Sequence, residues 1–295
     1  MKLISILVAT YNQESLIRET LNNCIAQTAE NYEIVISDDC STDRTWDVIC
    51  QFEHNKIRAY RHDKNIGEYK NRNFLINAAK GEYVIFIDGE DIIYPFGIEY
   101  ISYFVRLYPN CGMFVARPWD ENVKYPHLVS IDGYAKHQFM GYGMSALNFT
   151  HLIFSKKCLG DIGGFDRLDI RFGDSYIQMK IGLLHGAVII PDGFSWWRRT
   201  PGQASEKLLG DLFLFFEEQN KYFPEFIVAT NSLTNYEKNI ALINYYGNIL
   251  RYCFKLFFSK SLFKSVKYLK KYDIPLRYFK SIFIRPVRKD VYYNL

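Results

Sequence analysis

Tyr83-Val84-Ile85-Phe86-Ile87 is an unbroken apolar run, rich in β-branched and aromatic side chains, that opens directly into Asp88-Gly89-Glu90-Asp91. Such a run predicts a strand buried on both faces. In an open α/β sheet the ligand crevice lies beyond the carboxyl ends of the strands. Acids delivered there can hold a divalent cation against phosphate. The same residue types also make ordinary strand exits, so the two readings are decided by the rest of the chain.

Three earlier runs match the first. Leu3–Ala9 ends in Thr10, Tyr11 and Asn12; Glu33–Ser37 ends in Asp38, Asp39, Cys40, Ser41, Thr42 and Asp43; Ile57–Arg61 leads to Asn65 and Gly67. Between them lie helical periodicities: Ile17, Leu21, Cys24 and Ile25 on one face, a short helix over Arg44–Phe52, and Phe74, Leu75, Ala78 and Ala79 closed by Gly81 as a C′ residue. Strand and helix in alternation predict a mostly parallel sheet wound by right-handed crossovers, Rossmann-like and flanked by helices. Two of its strands end in acids. Beyond them, a helix after Pro95 carries Ile98, Ile101, Val105 and Tyr108, and Cys111–Ala116 and His151–Ser155 are strands. Trp119–Gly143 has no clear period and is expected to be a long loop. Gly163-Gly164-Phe165-Asp166 forms a turn, a helix runs from about Asp174 to Gly186, and Ala187–Ile190 is the final strand.

A chain of 295 residues can bury the core of one large domain or of a main domain with an appendage. The six cysteines show no CxxC, which suits reduced thiols used as small hydrophobes. Lys2–Ala9 is too short for the apolar core of an export signal, and no stretch reaches the roughly 18 apolar residues of a membrane span. Charge is uneven: residues 251–295 hold twelve Lys and Arg against two Asp, although the whole chain totals only +4. The preceding body is therefore acidic. Lys260, Lys264, Lys267 and Lys271 share a helical face opposite Leu262, Val266 and Leu269. That pattern suits docking on an anionic membrane surface, or a merely solvated stripe on a packed helix. No nucleic-acid module is present.

Taken together, the residues resemble the family-2 inverting glycosyltransferases of the GT-A fold. The matching pieces are Ala9-Thr10-Tyr11-Asn12, Asp38 to Asp43, Asn65-x-Gly67 with Arg72-Asn73, and Ala79 to Tyr83 leading to Asp88-Gly89-Glu90-Asp91. They continue through Gly163 to Asp166 ahead of Asp174, and Arg198-Arg199-Thr200-Pro201-Gly202-Gln203-Ala204-Ser205. The likeness covers about Lys2 to Ser205. It implies a catalytic domain over 1–205 and a helical, basic and aromatic extension over 206–295. It also implies transfer of a hexosyl or N-acetylhexosaminyl unit from a nucleotide-sugar donor, most often a UDP-sugar, to a glycan or lipid-linked acceptor. By position, Thr10, Tyr11, Asp38, Arg72, Arg198 and Arg199 would contact the donor nucleotide. Asp88 would sit by the ribose and, with Glu90, hold a divalent cation, Mg or Mn. Asp174 would be the catalytic base. The implied setting is cytoplasmic, at the inner face of the cell membrane, in surface polysaccharide or glycoconjugate synthesis.

The chain departs from the family pattern at three positions. Glu90 stands where Asp is usual, Gly173 where an acid often precedes the base, and Thr200 where a metal-binding His is common. A non-catalytic nucleotide-sugar-binding or scaffold protein is the alternative these departures raise. A dinucleotide-dependent oxidoreductase is disfavoured, because the first strand is followed by Thr10-Tyr11-Asn12 and not by GxGxxG.

Overall fold

A computed structural model describes residues 2–118, 123–141, 143, 148–167, 169–200, 218–219, 221–258 and 274–283. The first half runs β1 (Ile4–Thr10), α1 (Ile17–Ile25), β2 (Tyr32–Asp38), α2 (Thr45–Ile49), β3 (Ile57–Arg61), α3 (Glu68–Ala78), β4 (Tyr83–Phe86), β5 (Ile92–Ile93) and α4 (Gly97–Leu107). It continues with β6 (Met113–Arg117), β7 (His127–Val129), α5 (Ile131–Met140), β8 (Leu152–Ser155), α6 (Lys156–Asp161), α7 (Gly173–His185), β9 (Ala187–Pro191) and β10 (Ser195–Trp196). Further helices span Phe223–Ala229 and Asn235–Phe258.

The chain forms two compact units, one of Met1–Ile131, Ser145–Asp169 and Gly173–Pro201, the other of Asp132–Met144, Ile170–Phe172 and Gly202–Leu295. The first holds a sheet in the order β3-β2-β1-β4-β8-β6-β9-β7. The first four of these strands run parallel, β8 opposes both β4 and β6, and β7 opposes β9. β1, β2 and β4 are buried along nearly their whole length, as their apolar runs require. Ile17, Leu21 and Cys24 of α1 and Ile98, Ile101 and Val105 of α4 cover the sheet and share its core. In the second unit the described residues pack ring on ring. Phe139 meets Phe223 edge to face at 5.2 Å, Phe223 stacks on Tyr245 at 5.0 Å, and Tyr246 stacks on Tyr278 at 4.8 Å.

Several sequence expectations are corrected. The stretch Trp119–Gly143 contains β7 and α5, where a loop was expected. β7 is only three residues long, and α5 mixes buried Tyr134, Phe139 and Met140 with buried His137 and Gln138, so no apolar period stands out. Ala187–Pro191 is not the last strand, because β10 follows and pairs with β5 in a separate two-stranded ribbon. Gly81 is not a left-handed helix cap: α3 ends at Ala79 in extended backbone, and Gly81 is not among the positive-φ glycines. Its reason is close approach. A Cβ there would sit 2.6 Å from Ser5 Oγ and 2.7 Å from Ser5 N. The lysine-faced segment Lys260–Lys271 lies outside the described residues. All six cysteines are free, and none of the described helices is long and apolar enough to cross a membrane.

Gly81→Ala therefore forces the β1 backbone to shift and is expected to destabilise the fold by roughly 1–3 kcal/mol in urea unfolding. Gly160→Ala in α6 has nothing within 4 Å of the added Cβ. It serves as the control and should leave stability unchanged or raise it by about 1 kcal/mol.

Candidate active site

Parallel pairing of β1 with β2 puts Thr10 opposite Asp38, and pairing of β1 with β4 brings Asp88 to the same edge. A Cβ at Gly89 would sit 2.6 Å from Thr10 Oγ1, so the acid loop and the end of β1 are in contact. Asp38 is fully buried: Ser41 N donates to it at 3.1 Å, the Ser41 hydroxyl also donates, and Arg61 Nε lies 3.4 Å away. Asp39 accepts from Ile66 N at 2.7 Å and Gly67 N at 2.9 Å, which fixes the loop entering α3. Asn12, at φ +54°, donates its N–H to Ser41 Oγ at 2.9 Å and accepts from Thr42 N at 2.8 Å. These bonds stitch the loops after β1 and β2 into one rim. Tyr11 stands on it 44% exposed, a ring face open to a planar ligand rather than a core residue.

α3 supplies the clamp behind the acids. Arg72 is only 3% exposed. Its Nη2 lies 2.8 and 3.0 Å from the two Asp88 oxygens and 3.1 Å from Glu68, and its guanidinium lies over Phe149 at 4.1 Å and Phe86 at 5.2 Å. Burial opposes the charge, but Asp88 and then Glu68 outweigh it, and the pKa rises above the ordinary arginine value. The helix thus buries this arginine instead of presenting it to solvent. One turn away, Tyr69 stacks on Phe165 at 5.4 Å and its hydroxyl accepts from Gly173 N at 2.9 Å. Asn73 donates to Phe165 O at 3.0 Å and accepts from Phe165 N at 2.9 Å. One helix thus holds Asp88, the Gly-Gly-Phe-Asp turn and the start of α7.

Glu90 accepts from Gln13 Nε2 at 3.1 Å and Thr200 Oγ1 at 2.9 Å. The β5–β10 ribbon is what returns Arg198, Arg199 and Thr200 to the acid loop. The Arg198 side chain pairs with Glu19 at 2.6 Å, and its N–H donates to Asp91 at 3.1 Å; Arg199 is exposed and lies over Trp197 at 5.2 Å. Asp91, assigned no role from the sequence, is the buried anchor of this corner. It also takes the Thr150 hydroxyl, and burial, followed by the charge of Asp88, pushes its pKa up to about 7. Asp88 and Glu90 both raise that value, so the corner carries negative charge in excess. Hard carboxylate oxygens concentrated in this way fit a divalent cation.

Asp174 is the second residue of α7, half-buried, and its Oδ1 accepts from Ser175 N at 2.7 Å. Burial first, then Glu68 and Asp88, push its pKa up to about 7 against the lowering effects of Ser175 N and Arg72. A carboxylate tuned near neutrality is suited to general-base work.

A sheet with this strand order, with stitched loops and a clamped acid cluster at its carboxyl edge, defines a GT-A-type domain. Residues 5–160 match the family described as glycosyl transferase family 2, and the chain belongs to that family. It is similar to the Escherichia coli UDP-Glc:alpha-D-GlcNAc-diphosphoundecaprenol beta-1,3-glucosyltransferase WfaP, 38% identical over 91 residues, 31% of this chain and 36% of that protein. It is also similar to a poly(ribitol-phosphate) beta-glucosyltransferase of Bacillus spizizenii, 40% identical over 30% of this chain and 15% of that protein. The match thus spans about a third or less of these curated relatives. In fold it resembles S. aureus TarS 1–349 in complex with UDP-GlcNAc, at a TM-score of 0.69 and 20% identity, covering 94% of this chain and 82% of that one. It also resembles the mannosyltransferase PcManGT from Pyrobaculum calidifontis in complex with GDP-Man and Mn2+, at a TM-score of 0.60 and 16% identity, covering 95% and 82%.

The raised pKa of Asp174 makes a stability prediction. Its folded-state value lies above the ordinary 3.8, so its favourable contribution is complete below that value and is lost as pH rises through about 7. Asp174→Asn removes the buried charge. Its melting temperature should equal that of the parent near pH 4 and exceed it near pH 8, by on the order of 2–4 kcal/mol in unfolding free energy.

Proposed function

We propose that the chain is an inverting glycosyltransferase that moves a sugar from a nucleotide diphosphate sugar, a UDP-sugar by preference, to an acceptor hydroxyl in surface polysaccharide or glycoconjugate synthesis. The observation that carries the reading is that α3 ties together the acid cluster and the loop bearing Asp174. Names of the relatives support the substrate classes. One is a UDP-glucose transferase acting on a diphosphoundecaprenol-linked GlcNAc, and another acts on poly(ribitol-phosphate).

In this reading residues 1–205 carry catalysis and 206–295 form the extension. Thr10, Tyr11, Asp38 and Arg72 receive the nucleoside, Tyr11 by stacking and Asp38 by accepting a base N–H in exchange for the Ser41 hydroxyl. Arg198 and Arg199 flank the diphosphate. Asp88 and Glu90 would hold Mg or Mn, which supplies neutralisation of the leaving diphosphate. Asp174 takes the acceptor's proton from the opposite side of the sugar, as single displacement requires. Asp174 works only when deprotonated, so kcat/KM should rise through about pH 7, with a bound cation drawing that midpoint down.

Asp174→Asn should cut transfer by roughly 10³-fold while UDP still raises the melting temperature in the presence of Mn2+. Undiminished transfer in that variant, or a product that retains the donor's anomeric configuration, would overturn the assignment. Adding EDTA should abolish both transfer and most of the UDP-induced shift.

The basic tail is assigned to the inner membrane face, where a lipid-linked acceptor would be presented. Full-length protein should co-sediment with vesicles containing anionic lipid, and truncation before Tyr252 should release it. Equal sedimentation of the two forms would remove the docking role.

A further inference from the structure

At the sheet edge away from the acids, a second group of metal-type side chains is assembled. Ser155 of β8 lies beside Tyr83, the first residue of β4, so α6 begins at the amino-terminal edge of the parallel strands. α7 runs to the same edge, from Asp174 at its start to His185 at its end. There the Cys158 thiol, an Asp161 carboxylate oxygen and a His185 ring nitrogen all lie within 4.8 Å of one another. Cys158 is buried, while Asp161 and His185 lie toward the surface.

The surroundings fix these side chains rather than leaving them to chance. Cys158 and Asp161 are spaced i, i+3, which places them on one face of α6, and Ser155 caps that helix by accepting from Cys158 N at 3.5 Å. His185 is followed by Gly186 at φ +69°, where a Cβ would sit 2.5 Å from Val129 O, so the helix end is packed against the chain following β7. Gly112 closes the third side. A Cβ there would sit 2.7 Å from His185 Cβ and 3.3 Å from Cys158 Sγ, so the missing side chain is what leaves space between the sulfur and the ring.

We propose that Cys158, Asp161 and His185 bind one divalent ion of the zinc class, separate from the carboxylate site at Asp88 and Glu90. A thiolate, an imidazole and a carboxylate make a donor set that favours zinc or cobalt over the harder magnesium and manganese. Ligand atoms around a tetrahedral zinc stand roughly 3.5 Å apart, so side-chain movement of about an ångström brings the three into place, with water as fourth ligand. Binding replaces the thiol S–H by a sulfur–metal bond and releases the proton to solvent. The ion would pin α6 to the far end of the helix whose first turn carries Asp174. It acts on the site by positioning and touches no substrate.

The test is titration of the metal-free full chain with Co2+. One equivalent should produce a thiolate-to-cobalt charge-transfer band that Zn2+ abolishes. Cys158→Ser should lose the band, His185→Ala should weaken Co2+ binding by roughly tenfold or more, and Cys50→Ser, an exposed thiol elsewhere, should leave it intact. Zn2+ should raise the melting temperature of the parent and of Cys50→Ser but not of Cys158→Ser. Mn2+ binding, followed by electron paramagnetic resonance, should be the same in Cys158→Ser as in the parent, provided circular dichroism shows both folded. Absence of the band in the parent, or its persistence in folded Cys158→Ser, would overturn the proposal. Neither result bears on glycosyl transfer, which is read separately by the Asp174 variant.

Discussion

The site depends on a single buried guanidinium. Arg72 stands at the carboxyl edge of the sheet with almost no access to water, between two aromatic rings and against Asp88 and Glu68. A buried charge without partners would cost several kcal/mol, so the pair holds only because both sides are engaged. That constraint works in both directions. Arg72 holds the Asp88 carboxylate in place, and Asp88 with Glu68 keeps Arg72 charged inside the protein. α3 is tied to Asp88 through Arg72, and Tyr69 and Asn73 on the same helix tie it to the turn before Asp174 and to Gly173.

The electrostatics follow from this arrangement. Glu68, Arg72 and Asp88 all act on Asp174, the two acids raising its pKa and the arginine lowering it. Asp91, buried under the same cluster, is pushed up as well and is held by Thr150 and the Arg198 backbone. Among the described residues, Asp88 and Glu90 add negative charge to the surroundings of Asp91. A ligand that brings positive charge, or a cation escorting a diphosphate, relieves it. The acids that crowd this corner are also the ones that lift Asp174 toward neutrality.

Much of this was legible in the residues, for identifiable reasons. Strands buried on both faces carry continuous apolar, β-branched runs, so β1, β2 and β4 stood out, as did the acids that follow β2 and β4. Strand direction did not, because nothing in Leu152–Ser155 distinguishes a strand that opposes both its neighbours from one that follows them. β5 and β10 are two residues each, below the length at which alternation exists, yet their pairing is what returns Thr200 to Glu90. The burial of Arg72 was equally hidden, since an arginine in a helix is ordinarily solvated and only its contacts with Asp88, Phe86 and Phe149 say otherwise. Gly81 illustrates a correct signal given the wrong cause: a glycine was needed, but for close packing on Ser5 rather than for a left-handed backbone.

The departures from the family pattern resolve into matched pairs. At Gly173 a Cβ would fall 2.4 Å from the Tyr69 ring, so the tyrosine that accepts the Gly173 N–H excludes the acid other members carry there. At the other corner, Glu90 is one methylene longer than aspartate, and the Thr200 hydroxyl meets it at 2.9 Å while Gln13 meets the same oxygen at 3.1 Å. Threonine differs from histidine as a ligand, but its hydroxyl can orient a longer carboxylate. Shared contact makes the two departures one local adjustment of the acid loop.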